Sequence, residues 1–180
     1  LTKLTSKTYS HRYYVDGTPS VNDACFSSCA TASNWHTVLV GGYNAGGQGY
    51  YALDVTDPST WNEANAGNIV MWEFTDANDA DLGYSYSKPV ITKMANGRWA
   101  AIFGNGYNSS VADTGETSCT GGAGTIASPY TPAGCTVGRT GYGYLYVLFL
   151  DAGTDGTWTA GTDFIKISTN TSTDTSTATN

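Results

Sequence analysis

Two stretches of this sequence carry the same marks in the same order. Pro19 in GTPSV answers Pro89 in SKPVI, and Trp35, opening WHTVLVGG, answers Trp99 in RWAAIFGNGY. GGYN at 41–44 then answers NGYN at 105–108, and GYYALDV at 49–55 answers GYLYVLF at 143–149. Matches in one order make an internal repeat of about 65 to 70 residues before insertions, which confines the chain to folds that build one supersecondary unit and stack it on itself. Each unit holds four strand-like runs bounded by Gly, Pro, Asn or Asp: 11–21, 35–42, 49–56 and 68–75, then 87–94, 98–107, 141–150 and 163–169.

The middle runs lack the alternation of a strand with one wet face. VLVGG and YLYVLFL are apolar at successive positions, as in strands covered on both sides. A four-stranded antiparallel meander with its inner strands covered on both faces is a β-propeller blade. The expectation is therefore an all-β chain, about two four-stranded antiparallel blades of a larger β-propeller, because a ring takes about four to eight blades. Residues 1–86 would form the first blade with its inter-blade loop, residues 87–169 the second, and residues 170–180 a flexible low-complexity tail. Composition agrees: 22 Gly, 13 Tyr and 5 Trp with only 13% charged residues suit short strands and polar turns better than helices.

Charge and cysteine usage narrow the partners. Eight Lys and Arg against fifteen Asp and Glu leave a net charge of −7, which repels phosphate backbones and anionic lipid, so no nucleic acid partner is expected. The longest apolar run, YLYVLFL, is strand-sized, so no membrane span is expected. LTKLTSKTYS has no apolar leader core and does not begin with Met, which makes the sequence an expected excerpt of a longer secreted chain. The four cysteines fall into local pairs, Cys25–Cys29 and Cys119–Cys135. Disulfides there would close loops of about 5 and about 17 residues, whereas CFSSC lacks zinc spacing. Disulfides in turn point to an oxidising, extracellular compartment.

The candidate sites are few. GGYNAGGQG has neither the G-x-G-x-x-G spacing nor a following helix, so it reads as a bend between antiparallel strands. The loop DANDADLG offers oxygen ligands at Asp76, Asn78, Asp79 and Asp81, a hard set of the kind Ca²⁺ takes. Ala80 stands at the fifth position of the EF-hand frame, however, and the plainer reading is a solvated inter-blade loop with Asp and Asn capping its turns. Residues 107–141 form a long polar insertion holding Cys119 and Cys135, and an insertion of that length is usually functional. Its aromatic residues Tyr107 and Tyr130 are candidate contact residues. His11 and His36 are the only histidines, and no G-x-S-x-G elbow exists, so no catalytic residue is assigned and the histidines read as structural.

Taken together and in order, YYVDGTPSV, WHTVLVGG, GGQGYYALDVTDP, WEFTDANDADLGYSYSKPVI and WAAIFGNGYNS resemble the C-terminal β-propeller domain of the PilY/PilC family, over about residues 11–169. These are tip-associated adhesins and biogenesis proteins of type IV pili. The resemblance implies a cell-surface location, at the fimbrium tip or outer membrane. It implies a part in pilus extension and retraction, hence twitching motility, and in attachment to host-cell or abiotic surfaces, with minor pilin subunits of the pilus tip as partners. It also implies Ca²⁺ in the full-length protein, on an Asp-rich run further along the propeller and outside this sequence, and no cofactor here. The expected function is a non-enzymatic adhesin and pilus-biogenesis module whose rigid blades display loops such as 107–141. Two alternatives remain. YALDVTDP followed by VMWEF resembles the Ala-x-Asp and Trp of the blade-locking motif in quinoprotein dehydrogenases, which use pyrroloquinoline quinone. Tyr and Trp with Asp and Asn would also suit a glycan-binding surface protein.

Overall fold

The structure is a computed structural model and describes residues 5, 7–107 and 142–173. Two four-stranded antiparallel sheets account for the fold. The first contains β1 (Ser20–Cys25), β2 (Trp35–Gly42), β3 (Gly49–Asp54) and β4 (Val70–Thr75), each hydrogen-bonded to the next in the chain. The second repeats the meander with β5 (Val90–Lys93), β6 (Trp99–Gly104), β7 (Tyr142–Phe149) and β8 (Phe164–Thr173). Among the described residues the helical content is a single turn, α1 (Ala66–Ile69), and short 3₁₀ turns in the loops. Among the described residues no helix is long and apolar enough to cross a membrane.

The repeat marks fall at equivalent places. Pro19 and Pro89 each precede the first strand of a sheet, where a missing N–H is tolerated. Trp35 and Trp99 each open the second strand, and their rings meet edge to face at 6.1 Å. That contact joins the second strands of the two sheets. At one edge Ser20 Oγ donates to the Pro89 carbonyl and Asn22 Nδ2 to the Ile91 carbonyl, tying β1 to β5. In the middle Tyr50 on β3 stacks on Phe103 of β6, with centroids 3.7 Å apart. At the other edge Phe74 on β4 meets Tyr146 and Phe164 edge to face at 5.6 and 5.2 Å. Val38, Val40 and Trp72 from the first sheet complete one core with Ile91, Ala101 and Leu148 from the second.

The unbroken apolar run in β7 is explained by this stacking. Tyr146 and Leu148 enter the shared core, while Val147 and Phe149 point to the opposite face and build a second cluster with Ala100 and Ala152. A cross-strand row, Val90–Ile102–Val147–Ile165, runs over that face in register. Both faces of the inner strands are thus apolar, as the sequence implies.

Two boundaries differ from expectation. A strand is expected over 11–21, yet β1 is SVNDAC, Ser20–Cys25. The β-formers Tyr13, Tyr14 and Val15 are exposed and lie in the segment that leads into β1 instead. Asn22 and Asp23, poor strand residues by propensity, are held by tertiary partners: Asn22 by Ile91, and Asp23 by the hydroxyl of its cross-strand neighbour Thr37 at 2.7 Å. At the other end β8 runs to Thr173, into the stretch expected as a tail from 170, because the ladder continues past a bulge to pair Tyr142 with Thr173. Residues 174–180 lie outside the described residues.

Candidate functional site

GGYNAGGQG is a hairpin bend, and it is also a seat. β2 ends at Gly42 and β3 starts at Gly49, with a 3₁₀ turn at Asn44–Gly46 closed by the Tyr43 N–H to Gly49 carbonyl bond of 3.1 Å. Asn44 supplies the left-handed residue, φ 56°, that the turn needs. Two segments lie against this bend, the one that leads into β1 and the linker that joins β4 to β5. From one side the Asp16 carboxylate accepts from the Ala45 N–H and Asn44 Nδ2 at 3.1 and 3.2 Å, and the chain passes so close that a Cβ on Gly46 would stand 1.7 Å from the Tyr14 carbonyl oxygen. From the other side Ser85 Oγ accepts from the Asn44 N–H at 3.0 Å and donates to the Gly47 carbonyl.

The linker that joins β4 to β5 is shared between the sheets. Gly83 N–H donates to the Asn105 carbonyl, and Tyr84 and Tyr107 exchange both backbone bonds at 2.7 and 3.0 Å. The Asn105 amide adds a bond to the Asp81 carbonyl at 3.1 Å. Between the two segments opens a pocket of about 220 Å³, lined by Gly17, Thr18, Gly42, Asn44, Ser85, Tyr86, Ser87, Lys88 and Pro89. Tyr86 is 54% exposed on its wall and meets Tyr107, 44% exposed, edge to face at 6.4 Å. Tyr107, an expected contact residue, therefore stands at the surface beside the pocket, where the 107–141 insertion leaves β6. Tyr130, Cys119 and Cys135 lie outside the described residues. Tyr86 is the one aromatic residue among the lining residues, and Lys88 the one charged residue.

The acidic loop carries the four candidate oxygen ligands Asp76, Asn78, Asp79 and Asp81, and its plainer reading is a solvated loop. The structure brings two of them onto one partner: Lys166 Nζ donates to Asp79 Oδ1 at 2.7 Å and to Asp81 Oδ2 at 2.5 Å. Tyr146 OH donates to the same Asp79 oxygen at 2.9 Å, and the ammonium lies 4.3 Å from the centre of the Tyr144 ring. Asn78 turns back instead and accepts from the Thr75 N–H at 2.8 Å, while Asp76 is buried at the end of β4. Burial alone would lower the Lys166 pKa, but the bonds to Asp79 and Asp81 outweigh it and hold the ammonium above its ordinary value. Burial, joined by the neighbouring Asp79, drives the Tyr146 phenol upward. Among the described residues no group of three or more His, Cys, Asp or Glu is placed to hold a metal ion. Lys166 was missed from sequence; its only signal was a lone cation in the apolar strand run DFIKIST.

At the opposite end of β2, His36 Nδ1 bonds Asp54 Oδ2 at 2.7 Å, and the Phe26 ring lies 5.3 Å away. Burial raises the Asp54 pKa, but bonds from Thr56 and His36 prevail and hold it below the usual carboxylate value. The Cys25–Cys29 disulfide is present beside this pair, and Trp35 Nε1 donates to the Cys29 carbonyl at 2.9 Å. His11 sits between Tyr9 and Tyr13.

The family model for the PilY1 beta-propeller domain matches residues 1–120. The chain is 51% identical over 106 residues to a type IV pilus biogenesis factor PilY1 homolog of Xylella fastidiosa, covering 59% of this chain and 7% of that protein. It is 46% identical over 113 residues to the type IV pilus biogenesis factor PilY1 of Pseudomonas aeruginosa, covering 61% of this chain and 9% of that protein. The crystal structure of the P. aeruginosa PilY1 C-terminal domain matches with a TM-score of 0.51 and 29% identity, over 85% of this chain and 23% of that one. The chain thus spans less than a tenth of the length of these curated relatives. With two stacked four-stranded meanders and a family match that takes in the whole first sheet and the β5–β6 hairpin of the second, the chain belongs to the PilY1 beta-propeller domain family.

Proposed function

We propose that this chain is a non-enzymatic part of a type IV pilus biogenesis factor, located at the cell surface on the pilus tip. Its blades form a rigid frame that presents loops to minor pilin subunits and to host-cell or abiotic surfaces, and so supports attachment, extension and retraction. The observation carrying this reading is the match of residues 1–120 to the PilY1 beta-propeller domain, joined to relatives named as type IV pilus biogenesis factors. The contact surface is the 107–141 insertion with the Tyr86–Tyr107 pair at its root. Ca²⁺ acts elsewhere in the longer protein.

The non-enzymatic reading draws on how the polar groups are used. Asp54, the acid of the Ala-x-Asp run, is bound by Thr56 and His36, and Trp72 is buried in the core opposite Ala52. These are structural roles, in keeping with a frame that presents loops. A glycan contact is a second reading with an observation behind it: the pocket sets the exposed Tyr86 beside Thr18, Ser85 and Asn44.

The test is made in the full-length protein in its own bacterium. In-frame loss of 108–140 should leave surface pili assembled and lower attachment several-fold, whereas loss of 20–173 should remove the pili. Unchanged attachment would refute the contact role of the insertion, and unchanged pilus number in the larger deletion would refute the biogenesis role.

A further inference from the structure

We propose that the 76–81 loop is a cation site filled by the chain's own ammonium: Lys166 takes the place of a divalent ion between Asp79 and Asp81, clasping the two blades together and closing this loop to calcium. The residues come from separate units. Asp79 and Asp81 lie in the loop leaving β4 of the first sheet, and Lys166 on β8 of the second, 87 and 85 residues further along.

The surroundings are those of a bound ion rather than of a surface ion pair. Asp81 is 3% exposed, and the Asp79 and Lys166 side chains are 14% and 22% exposed. Carboxylates removed from water to this degree need a positive partner held in good geometry. Lys166 gives it two short charge-assisted bonds, and the Tyr144 ring covers the ammonium from one side. A second, independent group is aimed at the same point, since the Tyr146 hydroxyl projects from β7 onto Asp79 Oδ1.

Calcium and the ammonium exclude one another here. Ca²⁺ takes about six to eight oxygens at about 2.3–2.6 Å. Asp79 Oδ1 already accepts from Lys166, Tyr146 and the Asp81 N–H, and Asn78 Oδ1 is turned to Thr75. A divalent ion placed between Asp79 and Asp81 would meet the positive charge of Lys166 at contact distance in a poorly solvated site. Removing that charge leaves two converging carboxylates and a phenolic oxygen, a vacancy with the chemistry of a weak divalent site.

Terbium(III), a calcium mimic whose luminescence is excited through nearby tyrosines, reads the site directly, because Tyr144 and Tyr146 line it. The proteins are the 180-residue chain, its Asp79→Asn/Asp81→Asn form, its Lys166→Met form and the triple variant. The wild-type chain should give no signal that Asp79→Asn/Asp81→Asn removes. Lys166→Met should melt several degrees lower and gain a terbium signal at least ten-fold above wild type that the triple variant abolishes. Lys166→Arg should keep both the melting temperature and the silence. A wild-type signal that depends on Asp79 and Asp81 would overturn the proposal, as would a Lys166→Met protein with neither signal nor loss of stability. The wild-type comparison stands even if Lys166→Met fails to fold.

Discussion

Replacing Phe74 by Ala removes the ring on which the contact between the sheets turns at the β4 edge. Phe74 is fully buried and meets three aromatic rings of the second unit edge to face: Trp158 at 5.0 Å, Phe164 at 5.2 Å and Tyr146 at 5.6 Å. A buried Phe→Ala change costs about 3–5 kcal/mol, from lost transfer free energy and from the cavity left behind. Each edge-to-face pair adds about 0.5–1.5 kcal/mol beyond its buried area, which puts Phe74 toward the upper part of that range. A loss of about 4 kcal/mol in a chain of 180 residues should lower the melting temperature by about 8–16 °C. Thermal unfolding followed by near-ultraviolet circular dichroism is the assay, because it also reports the rings themselves. Ile165→Ala is the control, since Ile165 lies on the outer face, 39% exposed, and should cost about 1 kcal/mol or less. Equal losses for the two variants would mean that the sheets do not share a core through Phe74, and the stacked-blade account would fall.

Gly46→Ala should destabilise by more than about 2 kcal/mol in urea unfolding, because its Cβ would collide with the Tyr14 carbonyl, whereas Gly67→Ala, in α1 with open space around it, should be neutral or slightly stabilising. Cys25→Ser/Cys29→Ser should cost about 2 kcal/mol by the loop-closure relation for a loop of this length, and a reductant should lower the wild-type unfolding midpoint by a matching amount. Burial raises the folded-state pKa of the Tyr50 and Tyr146 phenols, so their contribution is complete below the unfolded value of about 10 and is lost as pH rises beyond it. Unfolding followed from pH 8 to 12 should therefore weaken from about pH 10 upward, and Tyr146→Phe should flatten that limb. On the acid side Asp54 works in the opposite sense: its lowered pKa stabilises above about pH 4 and the gain is lost on acidification, so Asp54→Asn should flatten the acid limb.

Much of the fold was legible because it is written as a repeat. Pro19 and Pro89, and Trp35 and Trp99, fall at corresponding places because each unit needs the same punctuation to run the same meander. β1 was not legible, since Asn22 and Asp23 are strand residues only by virtue of Ile91 and Thr37. The role of Tyr13–Val15 was hidden for the converse reason: β-forming side chains occupy a segment whose path is set by Gly46 and the Asp16 carboxylate. The acidic loop could be read as an oxygen-rich cluster, but its partner lies on the last strand, and nothing local in sequence joins Asp79 to Lys166. The same limit applies to the pocket, whose walls come from two segments and a hairpin that only the stacking of the sheets brings together.

The outer face of the second sheet follows from the same stacking. The second sheet meets the first with the face that carries Ile91, Phe103, Tyr146 and Leu148, and turns its other face away. That outward face carries Val90 at 59%, Ile165 at 39% and Ile167 at 47% exposure, set around Ile102 and Val147. Apolar residues aligned across four strands are spent poorly in water, and in a PilY1-family propeller the next blade is what such a face would meet. Val90→Thr/Ile165→Thr should therefore change the stability of the 180-residue chain by about 1 kcal/mol or less, as exposed substitutions do. In the full-length protein the same pair should cost about 2–3 kcal/mol, because each methyl group removed would leave a buried contact. Equal effects in the two proteins would mean that no blade covers this face.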